Sequence, residues 1–174
     1  MNEEQYQQAE TFWQRKQKDE KVMEKEKLEK WMEEFLTHHK VLALATGMKE
    51  DLRVTPLEYS YHDGALYIFT EGGLKFHGIH ENKHVGAAIF EDNPVFGKLQ
   101  SMQISGVIEM VELFSKEYNG VALARKIPLD ALHQLKEPMW LLKIIPEEIT
   151  CLNSLFKKEG YGSYQQWKKQ NSPL

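Results

Sequence analysis

A His62-Asp63-Gly64 turn lies between two runs of alternating, β-rich residues, and that arrangement leaves the middle of the chain few options. Asp-Gly suits a type I′ turn, whose two central residues both need φ > 0. On one side runs Leu52-Arg53-Val54-Thr55-Pro56-Leu57 to Tyr61, and on the other Ala65-Leu66-Tyr67-Ile68-Phe69-Thr70. The pattern predicts a β-hairpin from Arg53 to Thr70. An apolar run, Val41-Leu42-Ala43-Leu44-Ala45, precedes it as a further strand. After it, Glu71-Gly72-Gly73-Leu74-Lys75 opens a short polar helix, and Val85 to Phe90 forms the next strand.

Outward from this centre, residues 3–38 read as helix in two pieces. The second piece is marked by Leu28, Trp31, Met32, Phe35 and Leu36, which fall at i, i+3, i+4, i+7 and i+8 on one apolar stripe. The first carries Tyr6, Ala9, Phe12 and Trp13 on one face, followed by a solvated charged run from Arg15 to Lys21. Its aromatics need a partner surface, either the barrel or a second subunit. Strands are expected at about 40–46, 52–61, 65–70, 84–91, 99–111, 140–145 and 148–152. Pro56 cannot donate to a ladder, so it marks an edge, a bulge or a ligand-facing break. Gly106 marks a bulge or a close backbone approach. A loop carries Asn93-Pro94, helices are expected over 115–125 and after Pro128, and the polar end reads as a tail with a weak helical segment.

The strands outnumber the helices. The expected fold is mainly β (α+β): six to seven strands closing into an antiparallel barrel with N-terminal and peripheral helices, since closure removes exposed strand edges; the family resemblance given below makes it a split β-barrel. The division is 1–26 as an N-terminal helical extension, 27–154 as the barrel domain, and 155–174 as a polar tail. The 174 residues, 41% apolar and 28% charged, suit one globular domain. A net charge of −4 gives no basic field for nucleic acid. No apolar run reaches the ~18 residues of a membrane span. Cys151 stands alone, so no intrachain disulfide forms, and the cytoplasm is the expected location.

Three pieces in register resemble the FMN-binding split-barrel family, typified by pyridoxamine 5′-phosphate oxidase, with the order of elements agreeing from about Lys27 to Leu152. Arg53-Val54-Thr55-Pro56-Leu57-Glu58 sits where the family begins a strand with a phosphate-binding Arg. Phe69-Thr70 sits where a Tyr-Thr pair contacts the flavin, and Lys75 at the family's phosphate-binding Lys. The resemblance implies FMN as cofactor, Arg53 and Lys75 on its phosphate, and Thr70 on a phosphate or ribityl oxygen. It further implies Val54, Thr55 and Pro56 along the isoalloxazine edge, and Gln103, near Ser101, as a flavin contact. Cationic donors suit a phosphate, Arg bidentately, and Gly72-Gly73 frees the backbone to turn N–H groups toward an anion. Without Arg53, Thr70 and the hairpin, Gly-Gly-Leu-Lys is an ordinary strand-to-helix turn with a surface Lys.

The implied activity is an FMN-dependent oxidoreductase passing electrons or hydride to a small molecule. A homodimer sharing the flavin site at its interface is the implied assembly. No residue stands out as a general acid or base. The alternative is a non-catalytic flavin- or haem-binding split barrel, for which His77, His80 and His84 would be the only hook; no complete metal-ligand pattern accompanies them. The oxidase's own substrate site is not matched. Glu58 stands where the oxidase has Lys, Phe114 to Tyr118 gives no match to its substrate residues, and Cys151-Leu152-Asn153-Ser154 replaces its Arg-x-His motif. Pyridoxamine phosphate oxidation is therefore not expected.

Overall fold

In the computed structural model, residues 2–48, 50–91 and 95–170 are described. The expected loop at Asn93-Pro94 and the side chain of Trp13 lie outside the described part. Three helices lead in: α1 (Glu3–Glu10), α2 (Phe12–Gln17) and α3 (Lys25–His38). Then come β1 (Val41–Met48), β2 (Asp51–Glu58), β3 (Ser60–His62), β4 (Ala65–Thr70), α4 (Lys75–Glu81), β5 (His84–Phe90) and β6 (Gln100–Val111). The chain continues through α5 (Lys116–Ala124), α6 (Leu129–His133), β7 (Trp140–Asn153), a 3-10 turn (Ser154–Glu159) and β8 (Tyr164–Lys168).

The strands form one antiparallel sheet in the order β2-β1-β5-β6-β7-β4-β3, with β8 added beside β7. The first and last strands of that path are two halves of one stretch, interrupted only at Tyr59. The path thus curls back toward its start as a half-barrel, with β2 and β3 as its two end strands. The expected single strand over 52–61 breaks there for a physical reason. Tyr59 is buried, its N–H donates to the Lys40 carbonyl at 2.8 Å, and its hydroxyl donates to the Leu36 carbonyl at 2.8 Å. One turn thereby ties the hairpin to the end of α3. Asp63 and Gly64 both have positive φ, as the Asp-Gly turn requires.

The main core fills the barrel with Leu42, Leu44, Leu66, Ile68, Met102, Ile104, Leu142 and Ile144. The apolar stripe of α3 lies over it, and Trp31 stacks on Phe35 and meets Phe156 edge-on, both at 5.0 Å. A smaller cluster packs Tyr118 and Ala122 of α5 and Leu132 of α6 against Ala65, Tyr67, Val111 and Leu141 on the other face of the sheet.

Two expectations change at the C-terminal end. The strands expected at 140–145 and 148–152 are one strand, β7, whose register against β6 shifts at Ser105/Gly106. Gly106 faces Pro146 while Ser105 faces Glu148, so Glu147 is the extra residue of a bulge. The weakly helical tail is instead strand β8, paired with Glu148–Leu152. Its inward residue opposite Cys151 is Gln165, 2% exposed. That amide accepts from Met23 N–H at 2.8 Å and donates to the Gly162 carbonyl at 2.8 Å. A glutamine does the work of an apolar strand residue because the segment before α3 supplies its partner.

Candidate functional site

The site is assembled where β4 hands over to α4. Thr70 ends β4 on the barrel side, 8% exposed, and its hydroxyl lies 3.4 Å from both the N–H and the carbonyl oxygen of Gly72. Gly72 and Gly73 have φ of +137° and +107°, conformations that a side chain would strain. The turn they make folds Lys75 back over itself, so that Nζ donates to the Gly72 carbonyl.

Lys75 is 5% exposed and has no carboxylate partner among the described residues. Burial pulls its ammonium below the ordinary value of 10.5. A buried cation without a counter-charge is costly, and structures keep one where something else supplies the negative charge. The turn's backbone contributes less than its glycines imply: Phe76 and His77 already give their N–H groups to Gly73 and Leu74.

Across the end of the barrel, α4 rests on β1. A Cβ at Gly78 would lie 2.9 Å from Gly47 N and 3.3 Å from the Thr46 carbonyl carbon, so only glycine allows this approach. Thr46 stands directly opposite Arg53 in the β1–β2 ladder. Arg53 is exposed and has no hydrogen-bond or ion-pair partner among the described residues. Arg53, Thr55, Thr70 and Lys75 therefore belong to the barrel-side face and its α4 end.

The other candidates lie elsewhere. Val54 and Pro56 point to the outer face, opposite Ala45 and Ala43, and Gln103 lies on that face opposite Ala88. Phe69 faces away from Thr70, its ring edge-on to Tyr118 at 5.3 Å in the smaller cluster. Only the backbone of Phe69 is left to face a ligand at the Thr70 end. Trp140, paired with Thr70, and Thr46 were not singled out from sequence. The one signal for Thr46 is a hydroxyl residue at an inward position of an otherwise apolar strand.

The residues that depart from the oxidase also find places. Glu58 forms an ion pair with Arg125 at 3.0 Å, tying β2 to α5. Within α5, Glu117 accepts from Tyr67 at 2.7 Å and from Lys143 at 2.8 Å, so the helix is fastened onto the sheet. Those bonds, the Lys143 one foremost, hold the Glu117 carboxyl below the usual carboxylate range. The histidines are separated: His77 faces Asp51, His80 faces Glu81, and His84 lies on β5 facing Glu147. Among the described residues no group of three or more His, Cys, Asp or Glu could hold a metal ion. Cys151 is fully buried and its thiol is pushed up to about 12.

No protein-family model matches the sequence, and no curated protein does. Solved structures do. A FAD-binding protein of Mesorhizobium loti is 24% identical over 70% of this chain and 89% of its own, with a TM-score of 0.54. HutZ, the haem storage protein of Vibrio cholerae, is 21% identical over 69% of this chain and 90% of its own, TM-score 0.57. A NimC/NimA family protein of Clostridium acetobutylicum is 19% identical over 80% and 91%, TM-score 0.57. The chain has the split-barrel fold. Among the described residues, no helix of this split barrel is long and apolar enough to cross a membrane.

Proposed function

We propose that this split barrel binds FMN through its phosphate and works as an oxidoreductase, passing electrons or hydride to a small molecule. The observation that carries the reading is Lys75: a buried ammonium beside two positive-φ glycines and at the same barrel end as Arg53, neither cation having a carboxylate partner among the described residues. That donor set fits a phosphate. Bound there, FMN would supply the redox chemistry; the chain supplies binding, orientation and exclusion of water. Arg53 and Lys75 hold the phosphate and Thr70 a ribityl or phosphate oxygen. The backbone of Val54, Thr55 and Pro56, with Gln103, lies toward the ring.

Since Val54, Pro56 and Gln103 sit on the outer face, a ring that reaches them lies against that face. The same face exposes Val41, Leu52, Val54 and Phe90 around the small residues Ala43, Ala45, Gly86 and Ala88. Such an apolar sheet face suits a second copy of the chain, with the flavin between the two. We place this dimer in the cytoplasm, in keeping with its single buried thiol.

The FAD-binding neighbour favours flavin, whereas HutZ keeps a haem alternative in view. The three histidines each face their own carboxylate and do not share a site. Arg53→Ala should weaken FMN binding by about 1.5–3 kcal/mol, roughly ten- to a hundredfold, measured by titration calorimetry. Unchanged affinity would show that the phosphate is held elsewhere.

A further inference from the structure

We propose that Thr46 is the third donor to the phosphate, and that it makes the site select a terminal phosphate monoester over a diphosphate. This rests on the FMN reading above. Thr46 is 5% exposed, and its Oγ1 is buried without a hydrogen-bond partner among the described residues. A buried hydroxyl left unpaired costs stability, and such groups are rare enough to need a reason.

Its position supplies one. Thr46 follows Leu42 and Leu44 on the barrel-side face of β1 and is the direct ladder partner of Arg53. Directly opposed residues of an antiparallel pair hold their Cβ atoms about 4.5–5.5 Å apart on one face. Above them lies α4, whose Gly78 packs onto the Thr46–Gly47 backbone. Lys75 is three residues earlier on the same buried face of α4, so it overhangs the same end of β1. Three candidate donors from three elements stand at this end of the barrel: Arg53 on β2, Lys75 on α4 and Thr46 on β1.

The chemistry divides accordingly. A phosphate monoester such as FMN presents three non-bridging oxygens, enough for all three donors. The flavin-proximal phosphate of FAD has only two, because its third is bridged to the adenylate. A neutral hydroxyl adds the third bond without burying another charge. Thr46 here is a binding residue and takes no part in electron transfer.

The test compares Thr46→Val and Thr46→Ser with the parent in affinity for FMN, riboflavin and FAD, followed by flavin fluorescence, with urea unfolding as a check on the fold. Thr46→Val should lose about tenfold in FMN affinity and keep riboflavin affinity. Its preference for FMN over FAD should shrink by the same factor, and Thr46→Ser should match the parent. Where the valine variant does not fold, Thr46→Ala replaces it. Undiminished FMN affinity, or an equal fall for FMN and riboflavin, overturns the proposal and leaves the flavin reading standing. A parent that binds neither FMN nor riboflavin removes the flavin reading and this proposal together.

Discussion

Lys75→Met should lower FMN affinity more than a hundredfold while leaving the fold at least as stable as the parent. The two effects share one cause. The Lys75 ammonium is buried beside the Gly72 carbonyl and 5.4 Å from the Phe76 ring, with no carboxylate among the described residues, so the ligand-free protein carries a desolvation cost that no counter-charge offsets. Methionine has a similar length and no charge, and it removes that cost. With FMN bound, the same ammonium would face a dianion. Deleting one member of a buried charge pair costs about 3–5 kcal/mol, which is a hundredfold or more in affinity.

The pH dependence follows from the lowered ammonium of Lys75. Between that lowered value and the ordinary 10.5, the unfolded chain holds more protons than the folded one, so stability rises with pH across the interval. Below the interval both states are charged and the whole cost applies. The advantage of Lys75→Met over the parent is therefore full below the lowered value and fades as pH climbs toward 10.5. Urea unfolding of both proteins at several pH values, with FMN titration at neutral pH, measures it. A methionine variant that binds FMN like the parent, or unfolds more easily at neutral pH, contradicts this role for Lys75.

Gly106→Ala should be the most damaging single methyl group in the barrel. A Cβ at Gly106 would overlap the Ile145 carbonyl oxygen and lie 3.0 Å from the Ile145 carbonyl carbon and 3.1 Å from Pro146 Cα. These are backbone atoms of the paired strand, so no side chain can swing aside, and the bulge that bends β7 has to move. Such overpacking costs about 3 kcal/mol, or about 10 °C in melting temperature for a chain of this size. Gly120→Ala provides the contrast: nothing lies within 4 Å of a Cβ there, in the exposed middle of α5. It should be neutral or slightly stabilising, since alanine restricts the unfolded chain. Equal denaturation midpoints for Gly106→Ala and the parent would show that β6 and β7 approach less closely.

Much of this architecture is legible in the residues, and the hairpin shows why. Asp63-Gly64 answers a backbone demand that few other pairs meet, and the five apolar positions of α3 match one helical face and no strand. Gly106 is legible as an irregularity, and the structure shows both of its readings at once, a bulge and a close approach. Pro56 lies in β2, a terminal strand of the sheet path, where its missing N–H does least harm.

What escaped the sequence depended on partners far along the chain. β8 was hidden because Gln165 is satisfied by Met23, 142 residues away. The break at Tyr59 was hidden because its partners are Leu36 and Lys40, from α3 and the residue before β1. For the site, Arg53, Thr70 and Lys75 stood out as residue types in a recognisable order. Thr46 did not, because its interest lies in a bond it lacks, and no local pattern reveals that. The two faces on which Val54 and Thr55 part company follow from strand alternation, but which face is the barrel's follows only from the way the whole sheet curls.

The most direct measurement is an absorbance spectrum of the freshly purified full chain, followed by titration with FMN and with riboflavin. The account predicts flavin bands with FMN released on denaturation, or a colourless protein that takes up FMN at micromolar concentration and riboflavin far more weakly. A Soret band, or no uptake at high micromolar FMN, would contradict it.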